Sequence, residues 1–520
     1  MKILNRHAMF IGRCACFCAA TTCGWAQLGL PSGSETPGPA RATQLPLSGR
    51  TGQSGSVTAV ESPIPGATTS VNTINPSVEV QGPFSGSSSG RLSFSGKLSL
   101  HDAVERALRY NLGAIGLAEA AQQANGETRV ARSALLPNLN GSLSETLEQL
   151  DLQAVGFRFK LPVPGFSIPA VVGPFNYFDL RASLSQSVVD RTAWNNYRSA
   201  SESLRASRLS VKDARDVVIL AAGGAYLQVI SAAARVASAR TQLETANALF
   251  EQTSRQRAVG LVAQIDVNRS RVQFLTQRQR VTSLENDLAK QKINLARITG
   301  LPPNDRFEIA DDVPFAPAPD LNLEEALREA FAQRWDLKAA EAQVRAAERT
   351  RAAARAERLP SVSLSADYGA IGPTPDRARA TFTVVGSLKA PIWQGGRIEG
   401  DVEQANAALK QRQAELEDLR AKVEADVRNA YLDLAAAGSQ VEVARENLGV
   451  TQENLKLTRQ RFEAGVSDNV DVVQSQEAVA GAELDYINGV FAHNVAKLSL
   501  ARAIGQASDK LPQFLAVKSR

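Results

Sequence analysis

Two hydrophobic spacings alternate along this chain from Leu98 onward. In the first long segment Leu204, Val211, Val218, Ala225, Ala232, Ala239 and Ala246 recur every seven positions. In a second segment Leu409, Leu416, Val423, Ala430, Ala437 and Ala444 do the same, and another seam follows at Leu434, Val441, Leu448, Leu455 and Phe462. Strict sevens sustained this long predict coiled-coil packing rather than an ordinary surface helix. No proline interrupts Arg191 to Ile298 or Arg397 to Leu511. A helix from Trp194 to Arg257 would be about 95 Å long at 1.5 Å per residue. Such rods suit structures that span a distance, and their alanine seams let neighbouring helices approach closely.

Other segments alternate with period two. Leu139, Leu143 and Leu147 alternate with Asn140, Ser142, Ser144 and Thr146; Phe178, Leu180, Ala182 and Leu184 alternate with Asp179, Arg181, Ser183 and Ser185. Val362, Leu364, Ala366 and Tyr368 alternate with Ser361, Ser363, Ser365 and Asp367; Phe382, Val384, Gly386, Leu388 and Ala390 alternate with Thr381, Thr383, Ser387 and Lys389. One apolar and one small-polar face per strand suits a membrane barrel with lipid outside and water inside, and also a half-buried soluble sheet. No run of 18 apolar residues follows the N-terminal segment, so a spanning helix is not expected and a closed barrel is the route across a bilayer. Aromatics gather near the strand ends, as Phe175, Tyr177, Phe178, Tyr368, Phe382 and Trp393. Four strands are too few to close a barrel, whose usual minimum is about eight. Three copies pooling their strands would make twelve, with the helices continuing the barrel as a bundle.

The chain is also a tandem duplication. Leu98-Ser-Leu-His-Asp-Ala-Val matches Leu321-Asn-Leu-Glu-Glu-Ala-Leu, Leu136-Pro137 matches Leu359-Pro360, Tyr226 matches Tyr431, and Gly300 matches Gly505. The offset is 223 early and 205 later, so the first repeat carries 18 extra residues between Pro137 and Tyr226. The stretch Val155 to Gly173, with three prolines and three phenylalanines, reads as a long loop between the first two strands. The boundaries are 1–26 leader, 27–96 Pro/Ser/Gly-rich flexible extension, 98–300 first repeat, 301–320 linker, 321–507 second repeat and 508–520 tail. Strands are expected near 139–152, 175–189, 361–372 and 381–393.

Composition narrows the function. Hydrophobic residues are 44% of the 520, and 58 Lys+Arg face 53 Asp+Glu. On this near balance no concentrated basic patch stands out, so no nucleic-acid partner is expected. The four cysteines, Cys14, Cys16, Cys18 and Cys23, all fall in a short apolar stretch behind Lys2 and Arg6, where a secretory leader explains them better than metal binding. Cleavage before Gln27 leaves no cysteine; lipidation at Cys23 is the minor alternative. With three histidines, no metal spacing, no nucleophile-base pair and no phosphate loop, neither enzyme nor cofactor is expected.

These features together resemble the TolC-like outer-membrane efflux protein family. The resemblance rests on the paired openings at Leu98 and Leu321, the Leu-Pro pairs, and the strand ends Val188-Val189-Asp190 and Pro391-Ile392-Trp393-Gln394-Gly395-Gly396. It rests equally on the turns Val259-Gly260-Leu261-Val262-Ala263-Gln264-Ile265-Asp266-Val267 and Ala464-Gly465-Val466-Ser467-Asp468-Asn469-Val470-Asp471-Val472, and it covers residues 98 to 507. It implies a fold dominated by helices: a homotrimer whose four strands per protomer form a twelve-stranded outer-membrane barrel, continued by a coiled-coil α-barrel tunnel in the periplasm. Such a protein is the passive exit duct of a tripartite efflux pump or type I secretion system. Its implied partners are a periplasmic adaptor, an inner-membrane transporter and outer-membrane lipid. The competing reading is a periplasmic coiled-coil adaptor or scaffold, which leaves the strands and the duplication unexplained.

The resemblance also assigns sites. Gly260, Leu261, Val262, Gly465 and Val466 match adaptor-docking turns; Asp266, Phe462 and Asp471 match gate positions, and Asp471 an acidic ring at the entrance. Members with an aromatic hydroxyl at Phe462, a base at Ser467 and an acid at Gln474 differ from this chain at all three. From the residues alone, both glycines fit helix ends needing positive φ, and Asp266 and Asp471 fit N-caps or first-turn acids. Arg257 is expected to pair with Asp266, Asp468 or Asp471.

Overall fold

The computed structural model describes residues 41–43, 57–63, 74–88, 96–154, 156, 169–304, 306–317, 322–508 and 515. The leader, its cysteines and most of the loop at 155–173 lie outside the described residues. The elements run β1 (Val57–Pro63), β2 (Ile74–Val80), β3 (Gly96–Leu98), α1 (Leu100–Tyr110), α2 (Leu112–Ser133), β4 (Asn138–Asp151), β5 (Val171–Val189), α3 (Arg191–Ala258), α4 (Gln264–Thr299), β6 (Phe307–Ile309), α5 (Leu323–Gln333), α6 (Trp335–Ala356), β7 (Ser361–Gly372), β8 (Arg379–Lys389), α7 (Arg397–Glu463) and α8 (Asn469–Ala503). The duplication is nearly exact in length. Helices of 11, 22, 68 and 36 residues recur as 11, 22, 67 and 35.

The chain divides into two units: residues 133–190 with 360–390, which hold the sheet, and 40–132, 191–359 and 391–520, which hold the helices. In the first, the strand order is β4-β5-β7-β8, every pair antiparallel. The register shows why these sequences pair. Leu143 faces Leu180, Leu184 faces Ala366, and Tyr368 faces Phe382; one position on, Asn140 faces Ser183, Ser183 faces Asp367, and Asp367 faces Thr383. At these positions apolar meets apolar and polar meets polar, with exceptions such as Glu145 opposite Phe178 and Leu147 opposite Asn176, so a slip by one residue would turn most of the apolar set to the polar face. β5 begins before the expected residue 175, and β8 ends at Lys389 rather than running to Trp393.

In the helical unit the alanine-rich seam is buried as its spacing requires: Val218, Ala239, Val423, Ala437 and Val441 are all enclosed. A core of α1, α3 and the end of α4 surrounds Tyr226, whose hydroxyl donates to the Leu98 carbonyl and the Asp311 carboxylate, both at 2.9 Å. The segment 306–317 is pinned across this core. Asn494 Nδ2 donates to the Val313 carbonyl at 3.3 Å, and the fully buried Lys497 donates to the Ala316 carbonyl. Burial pulls the Lys497 pKa down to about 8, and burial beside Lys497 pulls His493 down to about 4.

Three expectations need correction. Residues 27–96 are not wholly a flexible extension: β1 and β2 form an antiparallel hairpin, Val78 packs on α3, and Phe84 is buried in the α1–α3 core. A few apolar residues suffice there because glycines make room; a Cβ on Gly224 would lie 2.8 Å from Val78 Cγ1, and Gly113 sits under the Phe84 ring. Leu515, assigned to the tail, is buried in the same core. Finally, α3 does contain a stretch long and apolar enough to cross a membrane, with mean hydropathy 1.9. Residues 217–234 carry no charge. About two thirds of that stretch is buried among neighbouring helices, which is why it reads as core here.

Candidate functional site

The sheet presents its apolar side outward. Leu139, Leu143, Leu147, Phe382, Val384 and Leu388 are each at least 62% exposed, an arrangement water penalises and hydrocarbon does not. On the polar side Arg181 of β5 pairs with Asp367 of β7 and, at 3.3 Å, with Asp179. That cluster joins two strands on the face the apolar side chains avoid. Among the described residues the outer strands β4 and β8 each pair on one side only, leaving two open edges.

The helix tips are built by a second device. At the end of α3, Gly260 N–H donates to the Arg257 carbonyl at 3.0 Å and Leu261 N–H to the Gln256 carbonyl at 2.9 Å. At the end of α7, Gly465 N–H donates to the Phe462 carbonyl at 3.0 Å and Val466 N–H to the Arg461 carbonyl at 2.9 Å. Both are Schellman caps, with the glycines at φ 79° and 74°. In such caps the residue after the glycine usually packs an apolar side chain on the residue five places before itself. Here those places hold Gln256 and Arg461, so Leu261 and Val466 stay 75% and 68% exposed. Val259 beside them is 72% exposed. The tips thus display aliphatic side chains on rigid turns.

A hydrogen bond joins the two tips, from Asn469 Nδ2 to the Asp266 carbonyl at 3.1 Å. The N-cap positions of α4 and α8 are Ala263 and Asp468, and neither side chain caps. Asp266 and Asp471 lie instead in the first turns, at the positive helix ends. The Asp471 carboxylate accepts from Ser467 Oγ at 2.7 Å and is exposed, whereas Asp266 pairs with Arg269 at 3.5 Å. Arg257 does not make its expected ion pair within the chain. Among the described residues none joins it to Asp266, Asp468 or Asp471, and its guanidinium reaches the Val262 carbonyl at 3.5 Å, because the cap folds that carbonyl back over the last turn. Phe462 is half-buried in the last turn of α7, and Val262 is half-buried as well.

Sequence reasoning missed two apolar rows that the protomer leaves open. Val443, Val450 and Leu457 on α7 are each at least 51% exposed, as are Ile265 and Val272 on α4. Both rows follow the sevens already visible in the chain, and only their exposure sets them apart from the buried seams. Among the described residues no cluster of His, Cys, Asp and Glu is arranged to hold a metal.

The chain matches the family model described as outer membrane efflux protein over residues 97–301 and 326–506, well over half its length. The pyoverdine export outer membrane protein OpmQ of Pseudomonas aeruginosa is 26% identical over 441 residues, 81% of this chain and 88% of that protein. The outer membrane protein TolC of Escherichia coli is 23% identical over 343 residues, 63% of this chain and 69% of that one. Among solved structures, the Campylobacter jejuni CmeC outer membrane channel superposes with a TM-score of 0.69 at 17% identity, covering 78% of this chain and 86% of that one. The two repeats, the two-faced sheet and the long helices therefore have one common explanation: this chain belongs to the outer membrane efflux protein family, as a non-enzymatic channel of the outer membrane with a helical tunnel in the periplasm.

Proposed function

We propose that three copies of this chain assemble into one duct and that the paired tips are both its entrance and its docking surface. The observation that carries the reading is the sheet with an exposed apolar face and two open edges. Joining β8 of one copy to β4 of the next satisfies both edges, and three copies give a closed ring of twelve strands. The exposed rows on α4 and α7 support the same arrangement, since heptad-spaced aliphatics bury best against another helix of equal spacing. In this reading Leu261, Val262 and Val466, set by Gly260 and Gly465, receive the helical hairpins of a periplasmic adaptor, which links the duct to an inner-membrane transporter. Three copies of Asp471 near one axis form a carboxylate ring that favours cations. Asp266, Asp468 and Phe462 line the same entrance, and the acids of a neighbouring copy are the partners left for Arg257. Transport through the duct is passive, and the energy comes from the transporter.

The test is the detergent-corrected mass of protein extracted from the outer-membrane fraction. A value three times that of the chain supports the pooled barrel. A monomer would refute it.

A further inference from the structure

The first third of α3 carries a feature that neither the duct nor its gate requires. Arg191, Arg198, Arg205 and Lys212 recur every seven residues, and Arg208 and Arg215 flank them one ridge over. All six are exposed, and among the described residues none is joined to a carboxylate by an ion pair. The two acids of this stretch are already engaged elsewhere: Glu202 pairs with Arg345 at 3.0 Å, and Asp213 pairs with Arg502. The opposite side of the helix is occupied by its own chain. Ser199 Oγ donates to the Ala346 carbonyl of α6 at 3.0 Å, and Thr128 Oγ1 of α2 donates to the Ala200 carbonyl at 3.1 Å. The cations therefore form a continuous row on the side left over, about 36 Å long with a cation about every 10.5 Å along its main ridge.

Two further contacts stiffen the row. The Arg198 guanidinium lies 5.6 Å from the Trp194 ring, and Trp335 holds Lys212 at 4.2 Å and Lys338 at 4.4 Å. Like charges three and four residues apart, as in Arg205, Arg208, Lys212 and Arg215, destabilise a helix unless anions lie between them. The fold does not need the row. In the second repeat, on a helix of almost the same length, the positions 205 residues on keep a base at Lys410 and Arg420 but hold Gly396, Glu403, Gln413 and Glu417 at the other four, so the row is broken there.

We infer that this row of α3 is a docking surface for a carboxylate-bearing polymer laid along the helix, namely the cell-wall glycan with its acidic peptide stems. Charge complementarity selects an anion. The length and regular spacing of the row select a polymer over a single small ion. A helix of a periplasmic tunnel leads away from the bilayer, so a phospholipid headgroup layer would meet Arg191 and Arg198 and leave the other four cations unused. A second copy is a poor occupant, because α6 already holds one flank of α3 through Ser199, and a neighbouring protomer would bring the same row of cations rather than the anions the row needs.

The experiment is cosedimentation of the purified full-length protein, in detergent, with isolated cell-wall sacculi. Its controls are sacculi whose carboxylates have been amidated and vesicles containing anionic phospholipid. The wild type should pellet with intact sacculi at low salt, and its bound fraction should fall about ten-fold at roughly 300 mM salt, where charges 10 Å apart are screened. It should not pellet with amidated sacculi. The variant R205Q/R208Q/K212Q should lose about ten-fold in binding, while R205K/R208K keeps it. Equal pelleting of the wild type with intact and amidated sacculi would overturn the inference, as would full binding by the triple glutamine variant. So would binding confined to the anionic vesicles.

Discussion

Replacing Gly260 with alanine isolates the contribution of one backbone angle to the proposed docking tip. The residue sits at φ 79°, and no atom lies within 4 Å of where a Cβ would stand. Steric conflict with neighbours is therefore absent, and the cost is that of holding an L-residue in the left-handed region, about 1–2 kcal/mol. That cost falls on the two hydrogen bonds of the cap, so the turn should open about 5–30 times more often. Hydrogen exchange reads this directly at the amides of residues 260 and 261, which donate to Arg257 and Gln256. Exchange there should quicken by that factor, while the amides of Val218 to Val229 in the buried core keep their wild-type rates. Gly300→Ala is the contrast. Its φ is similar, at 72°, but its Cβ would stand 2.6 Å from Tyr110 Cβ, so the loss should exceed that at Gly260 and should spread into the core. Unchanged exchange at residues 260 and 261 in G260A would refute the reasoning, and so would an effect that reached Val218.

Other perturbations test other parts of the account. Asp471→Asn should lower the cation selectivity of the reconstituted channel, read as a smaller reversal potential in a salt gradient. Burial lifts the Asp216 carboxyl from 3.8 to about 6. The stability its protonated form provides is thus present below about pH 4 and lost as the pH rises through 6. Asp216→Asn should therefore raise stability by about 3 kcal/mol at pH 7.5 and change it little at pH 4, measured as a pH series of Tm. Val450→Glu places a charge in the open row of α7; it should shift the assembly toward monomer on a sizing column, with helix content by circular dichroism unchanged.

Periodic features were legible in the sequence, and contacts between distant residues were not. The sevens through Leu204 and Leu409 located the long helices, and period-two alternation found all four strands of the sheet. The Schellman glycines were legible because a turn of this kind tolerates few other residues. The β1–β2 hairpin was missed because Val78 and Val80 are too sparse a signal in a Ser/Gly/Pro-rich background. The cross-strand partner of Arg181, Asp367, lies 186 positions away on β7, beyond any local pattern. Arg257 was matched to nearby acids on charge alone, whereas the cap geometry offers it a carbonyl. The exposure of Val443, Val450 and Leu457 could not be separated from the burial of neighbouring seams, since both obey the same spacing.

The uncharged stretch of α3 has a consequence for biosynthesis. An outer-membrane protein crosses the inner membrane as an unfolded chain, and there residues 217–234 have the length of a stop-transfer anchor and come close to its apolar character. What holds them below that threshold is Gly223, Gly224, Tyr226, Gln228 and Ser231, bounded by Asp216 and Arg235. Two of these are the packing glycines, Gly223 against Leu498 and Gly224 against Val78. One pair of residues thus serves the finished tunnel and the chain in transit. Gly223→Leu together with Gly224→Leu should strand the protein in the inner membrane before misfolding could be observed.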